Sequence, residues 1–226
     1  MDMELVCIAS VILMLIFPLI STIRIRATYS SSLKKKNSMG LTGYDIARKI
    51  LDSNGLNHLY IVEVDGTMTD AYDSSRKVLR LSKDVYHGDS IAAAAIAAHE
   101  SGHALQDATN YSWFKKRQSI FPYVQLGEKA SYIILVLGLI LGFIDLVYAG
   151  VALMLFGLVF EIITLPCELD ASKRGLELLT QYSLIEDKDK THAKKMLDAA
   201  AFTYIAAILT TLAEMLYYVS RYSRRD

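Results

Sequence analysis

The chain has 226 residues, 53% of them hydrophobic, with 24 basic and 24 acidic side chains. A formal charge of zero lacks the basic excess that nucleic-acid binding usually requires, so no nucleic-acid partner is expected. The apolar residues are gathered in a few segments, which argues against an ordinary water-soluble globule. Cys7 and Cys167 lie in or beside apolar runs and imply no disulfide framework.

Residues 5–23 (LVCIASVILMLIFPLISTI) are free of charge and long enough to cross a bilayer, which takes about 20 residues. A cleavable signal peptide would start basic and end in small residues. Here the start carries Asp2 and Glu4, and Arg24, Arg26, Lys34, Lys35 and Lys36 follow. An uncleaved anchor over 1–26 is expected, its N-terminus outside and the next segment inside. Residues 27–120 read as a polar domain. A helix is expected at 44–54, stopped by Asn54-Gly55. Short strands are expected at "LYIVEV" (59–64) and "KVLRLS" (77–82). Ser90 then caps the helix carrying "AAHESGHALQDA" (97–108).

Residues 121–167 are mostly apolar and read as a transmembrane hairpin turning near Asp145 and Gly150. Residues 168–198 are polar again, and the charge run "EDKDKTHAKK" (186–195) reads as a solvated loop or helix face. Residues 199–226 form a last span and a tail. Glu214 in that span faces the bundle or lies near the outer surface, the second being expected. The fold class that follows is a mainly α integral membrane protein, with four transmembrane helices and a small α+β domain.

Within HESGH, four residues make just over one helical turn, so His99 and His103 lie one above the other and can share a metal ion. Glu100 stands beside the first imidazole, where it can reach a metal-bound water. This is the logic of H-E-x-x-H: two zinc ligands and a general base on one helix. The run of small residues at 91–98 lets neighbouring helices come close. Gly102 costs about 1 kcal/mol against Ala inside a helix, so either another backbone or a substrate approaches it, or it is merely tolerated.

A catalytic zinc usually takes three protein ligands and keeps one position open. A third histidine at the end of an extended motif would fall at position 109, which is Thr109. Asp107 lies one turn past His103, too far along the helix. The better source is "LPCELDASKRG" (165–175), where Pro166 can open a new helix and Glu168 projects from its first turn. Asp170 and Ser172 are near enough to orient ligands. Cys167 is chemically able to ligate but ranks below Glu168, since two His and one carboxylate are a familiar catalytic set. A zinc shared by His99 and Glu168 puts both on one side of the membrane, so an even number of spans separates them. Four spans then leave both termini outside, although Arg221, Arg224 and Arg225 would favour a tail inside.

"GLTGYDIARKILDSNGL" (40–56), "KVLRLSKDVYHGDSIAAAAIAAHESGHALQ" (77–106), "CELDASKRGLELL" (167–179) and "AKKMLDAAAFTYIAA" (193–207) resemble the YugP-type membrane zinc metallopeptidases of bacteria. More distantly the chain is similar to the HtpX and CAAX-prenyl protease type. The resemblance implies a gluzincin-like site with Zn2+ held by His99, His103 and Glu168, and with Glu100 as base. It also implies a histidine where this chain has Ala71, and another where it has Asp107.

The function expected is a multi-pass cell-membrane endopeptidase with a cytoplasmic active site. It would act on a peptide or protein substrate, membrane-associated or not, and sit in the lipid bilayer; nothing in the sequence sets an oligomeric state. Either the substrate adds as a strand to the edge of "LYIVEV" or "KVLRLS", or both strands are merely scaffold. Tyr86, Arg174 and His192 are candidate oxyanion donors. His58, His87 and His192 read as ordinary loop or surface residues, His87 being the best placed of them to support the site. The alternative is a non-catalytic membrane scaffold with a structural zinc, which would have no need of Glu100.

Overall fold

The structure is a computed structural model that describes residues 3–223. Asp2, Arg224 and Arg225 lie outside the described residues. The elements in chain order are α1 (Met3–Leu33), α2 (Gly43–Ser53), β1 (Tyr60–Val64), β2 (Ala71–Asp73), β3 (Val78–Ser82), α3 (Lys83–Tyr86), α4 (Ile91–Ala108), α5 (Ser112–Leu141), α6 (Ile144–Gln181) and α7 (Asp187–Tyr222). Four of these, α1, α5, α6 and α7, are long and apolar enough to cross a membrane. The chain divides into two compact units.

The first unit comprises residues 1–22, 116–165 and 202–226. Its α5 and α6 form a hairpin. The turn is at Gly142, with φ +71°, close to Asp145 as expected but not to Gly150. Gly142 can adopt that left-handed conformation because it has no Cβ. Gly150 instead packs inside α6, where an added Cβ would lie 2.9 Å from Leu135 Cα. The Ser131 hydroxyl donates to the Gly150 carbonyl at 2.9 Å. Small residues at such a crossing let two backbones approach where apolar burial gives no driving force. Glu214 faces the bundle, lining a cavity of about 160 Å³ with Glu128, Glu161 and Thr211.

The second unit comprises residues 23–115 and 166–201. Thr42 and Asp45 start α2 with a reciprocal capping box. Its apolar face, Ile46, Ala47, Ile50 and Leu51, is buried. It packs in one cluster with Leu79 and Leu81 of β3 and the alanines of α4. Ser90 Oγ accepts from Ala93 N at 3.0 Å and caps α4 as expected.

Three expectations about local structure are corrected. First, the sheet has three strands in the order β1-β3-β2, with β1 parallel and β2 antiparallel to β3. The short β2 was not anticipated. Asp73 turns it into β3 by accepting from Ser75 N, Ser75 Oγ and Arg76 N. Second, Pro166 does not open a helix; it lies inside α6, which runs unbroken through Glu168 to Gln181. An interior proline removes one helical hydrogen bond and crowds the carbonyl four residues back, and a long helix packed on neighbours tolerates both. Third, the charged run at 186–195 opens α7, and it is not wholly solvated. Asp189 is buried and accepts from Ser38 N at 2.7 Å and from the Ser38 hydroxyl.

Candidate metal centre

The site is built where α4 crosses α6 within the second unit. The crossing is close because two glycines face it. A Cβ on Gly102 would lie 2.8 Å from the Ala171 carbonyl oxygen, and one on Gly175 would lie 3.0 Å from His99 N. The close approach expected at Gly102 is therefore that of another backbone. Helices this close bring the start of one side chain within reach of the other helix.

Glu168 of α6 consequently reaches both histidines of α4. Its Oε2 lies 3.2 Å from His99 Nε2 and 3.5 Å from His103 Nε2. The three ligand atoms lie within 4.8 Å of one another, and this is the metal-capable group found among the described residues. Four bonds of 2.0–2.2 Å in a tetrahedron set their ends about 3.3–3.6 Å apart. The two separations to Glu168 lie close to that edge, so these residues fit a zinc ion. The side chains are 12%, 8% and 4% exposed, in the order His99, His103, Glu168. All three side chains are thus largely withdrawn from solvent, His99 least so.

Each imidazole is oriented from behind. Ser172 Oγ lies 3.2 Å from His99 Nδ1, and Gln106 Oε1 lies 2.9 Å from His103 Nδ1. Both partners suit a proton on Nδ1, which leaves both Nε2 lone pairs facing Glu168. Burial opposes charge on His103, but hydrogen bonding to Cys167 and Glu168 outweighs it and holds its pKa well above the ordinary value. A metal must displace that proton. The residues that sequence reasoning missed are Gln106 and Gly175. Gln106 could have been found by spacing, since it stands three residues after His103 on the same face.

Glu100 is buried and points to β2, where its Oε2 accepts from Tyr72 N at 2.9 Å. That N–H points off the free edge of β2 rather than toward β3. Asp70, just before β2, accepts from Ser82 N at 2.7 Å. Burial raises its pKa above the usual carboxylate value, against the lowering effect of the Ser82 bonds. At the far end of α4, Asp107 accepts from the Tyr72 hydroxyl at 2.8 Å and pairs with Lys77 at 2.5 Å. Asp107 is therefore tied to the β2–β3 hairpin and stands outside the metal-capable group. Burial, reinforced by the bond to Asp107, raises the Tyr72 phenol and keeps it a donor.

The remaining candidates lie elsewhere. Cys167 is buried, and its thiol donates to Gln106 Oε1 at 3.1 Å. Arg174 is held by Asp170 at 2.5 Å and lies over the Tyr111 ring. Tyr86 packs on Tyr44 and His87. His87 pairs with Glu63 at 2.7 Å on an exposed surface, as an ordinary surface residue, and takes no supporting role at the metal group. His58 is exposed and His192 half-buried; neither belongs to the group.

The family described as "Putative neutral zinc metallopeptidase" matches residues 7–223 of the chain. The chain is 38% identical over 196 residues to the "Putative membrane protease YugP" of Bacillus subtilis (strain 168), covering 87% of each. No match was found among solved structures. Reaching across nearly its whole length, from the first apolar helix to the last, this likeness makes the chain a member of the YugP-type family of membrane zinc metallopeptidases.

Proposed function

We propose that the protein is a membrane-anchored zinc endopeptidase with a gluzincin-like site, cleaving peptide bonds at the cytoplasmic face. The observation that carries this reading is the convergence of His99 Nε2 and His103 Nε2 on Glu168 Oε2 at tetrahedral spacing, with Glu100 one residue from the first ligand. His99, His103 and Glu168 would hold Zn2+. When bound, zinc lowers the pKa of its water towards about 7 and polarises a carbonyl. Glu100 takes the proton from the attacking water and passes it to the leaving nitrogen. Before substrate adds, its bond from Tyr72 N holds the carboxylate beside β2.

The same bond favours β2 as the strand that receives substrate. The central β3 is paired on both sides and has no edge to offer, which removes one of the two strands expected from sequence. Of the two edge strands, β2 is the one in contact with Glu100. An extended peptide adding there would bring its carbonyl beside the base.

The test is Glu100→Gln in the full chain. Membrane proteins from cells carrying either form are compared by mapping new N-termini, and metal content is measured on the purified proteins. Loss of a general base costs about 10²–10⁴-fold, so the variant should keep its zinc and produce almost no cleavage products. Equal cleavage by both forms would favour the non-catalytic scaffold.

The cytoplasmic assignment rests on Arg24, Arg26, Lys34, Lys35 and Lys36 after the first apolar segment and on the basic residues of 173–195. With four spans both termini lie outside. Single cysteines on a cysteine-free background, in place of Lys35, Lys190 or Asp145, test it in intact cells. An impermeant thiol reagent should reach position 145 alone, and labelling of 35 and 190 instead would reverse the orientation.

A further inference from the structure

Gln106 is fully buried, and its amide uses all four of its hydrogen-bonding positions. Oε1 accepts from His103 Nδ1 at 2.9 Å and from Cys167 Sγ at 3.1 Å. Nε2 donates to the Cys167 carbonyl at 2.7 Å and to Asp170 Oδ2 at 2.8 Å. A primary amide has two donors and two acceptor lone pairs. Turning it over would aim its N–H groups at the His103 N–H and its oxygen at two acceptors, so only one orientation is satisfied.

The two ends of this side chain act on different helices. The oxygen requires the proton of His103 to sit on Nδ1, which frees Nε2. The nitrogen grips α6 at Cys167 and Asp170, on either side of Glu168. Asp170 is itself fixed by Arg174. From this geometry we propose that Gln106 is a positioning residue for the metal centre, setting the tautomer of His103 and the placement of Glu168 through one amide. The proposal rests on the reading of His99, His103 and Glu168 as zinc ligands. It adds that the third ligand's position depends on a side chain of α4 that is not itself a ligand.

The experiment uses full-length protein in detergent, stripped of metal. It is titrated with Zn2+ against a chromophoric chelator, and separately with Co2+, whose visible absorption reports coordination geometry. Gln106→Met keeps the volume and removes all four bonds. Loss of an orienting partner typically weakens metal binding about 10–100-fold, and that loss is expected here, with altered Co2+ bands. A merely structural amide would lower the unfolding midpoint of the metal-free protein and leave the Co2+ spectrum of the folded fraction unchanged. Native affinity and a native Co2+ spectrum in Gln106→Met would overturn the proposal. Glu168→Ala is titrated alongside. If it binds zinc like the wild type, the ligand assignment has failed, not the role of Gln106. Should Gln106→Met not fold, Gln106→Asn takes its place. Its amide is one methylene too short to span His103 and Asp170, so the same weakening is expected, and native binding again overturns the proposal.

Discussion

Helix α6 carries two glutamates seven residues apart, one in each unit, Glu168 buried and Glu161 half-buried with its Oε2 enclosed, and their surroundings differ. Glu168 in the second unit is 4% exposed and meets two imidazoles. Glu161 in the first unit meets the Thr211 hydroxyl at 3.2 Å through Oε1, while its Oε2 is buried without a hydrogen-bond partner. A buried carboxylate is costly unless paired. At Glu168 the pairing is built by the close crossing of α4, by tautomer control and by backbone placement. At Glu161 only one neutral donor faces it. The comparison teaches that burial alone does not mark a site. What marks it is the number of other residues arranged to serve the same atom.

The largest effect expected from breaking this contrast is at Glu168. Glu168→Gln preserves shape and replaces a charged ligand oxygen by a neutral amide. Zinc affinity should fall by more than the roughly 10–100-fold that a lost orienting partner costs, and hydrolysis should fall with it. Cys167→Ser in the same titration should keep its metal, since the thiol donates to Gln106 Oε1 and stands outside the metal-capable group. Chelator competition on both proteins checks the pair, and a reversed outcome would place the third ligand at Cys167.

The glycine crossings sharpen the comparison with a smaller effect. Gly102 and Gly150 both meet a neighbouring helix backbone within 3 Å of an added Cβ, one in each unit. Overpacking of this kind costs about 1–3 kcal/mol, so Val at either position should lower the unfolding midpoint. Only Gly102→Val separates α4 from α6, so only it should also weaken zinc binding. Midpoints and zinc affinities of the two proteins test this, and equal zinc loss in both would show that the α4–α6 spacing does not control the ligands.

Much of this arrangement was legible in the sequence, and the reasons differ by residue. His99, Glu100 and His103 follow from helical spacing, a local property that needs no tertiary knowledge. The four apolar helices follow from length and composition. Glu168 could be singled out by its place after the hairpin, but its reach to the histidines depends on Gly102 and Gly175, whose contacts span about 70 residues of chain. The break expected at Pro166 did not occur, because tertiary packing overrides a local preference. The strand β2 was missed because three residues are too short for an alternating pattern. Its position is set by Asp73, by Asp107 and by the Glu100 carboxylate.

The smallest expected effect is at Glu161, and it is the strictest test of the contrast. Glu161→Gln is the same chemical change as at Glu168, on the same helix. It replaces an oxygen that has no partner by an N–H2 group, and the Thr211 hydroxyl can still donate to the amide oxygen. The substitution also removes a carboxylate from a cavity that Glu128 and Glu214 share, with no Lys or Arg among the residues lining it. Like charges in one low-dielectric space repel, so their neutralisation costs nothing and can stabilise. Zinc affinity and hydrolysis should stay close to wild type, since Glu161 stands outside the metal-capable group. The check is the titration already used for Glu168→Gln, with peptide cleavage measured on the same preparation. A large loss of either at Glu161 would mean that its carboxylate serves the reaction, and the distinction drawn between the two glutamates would fall.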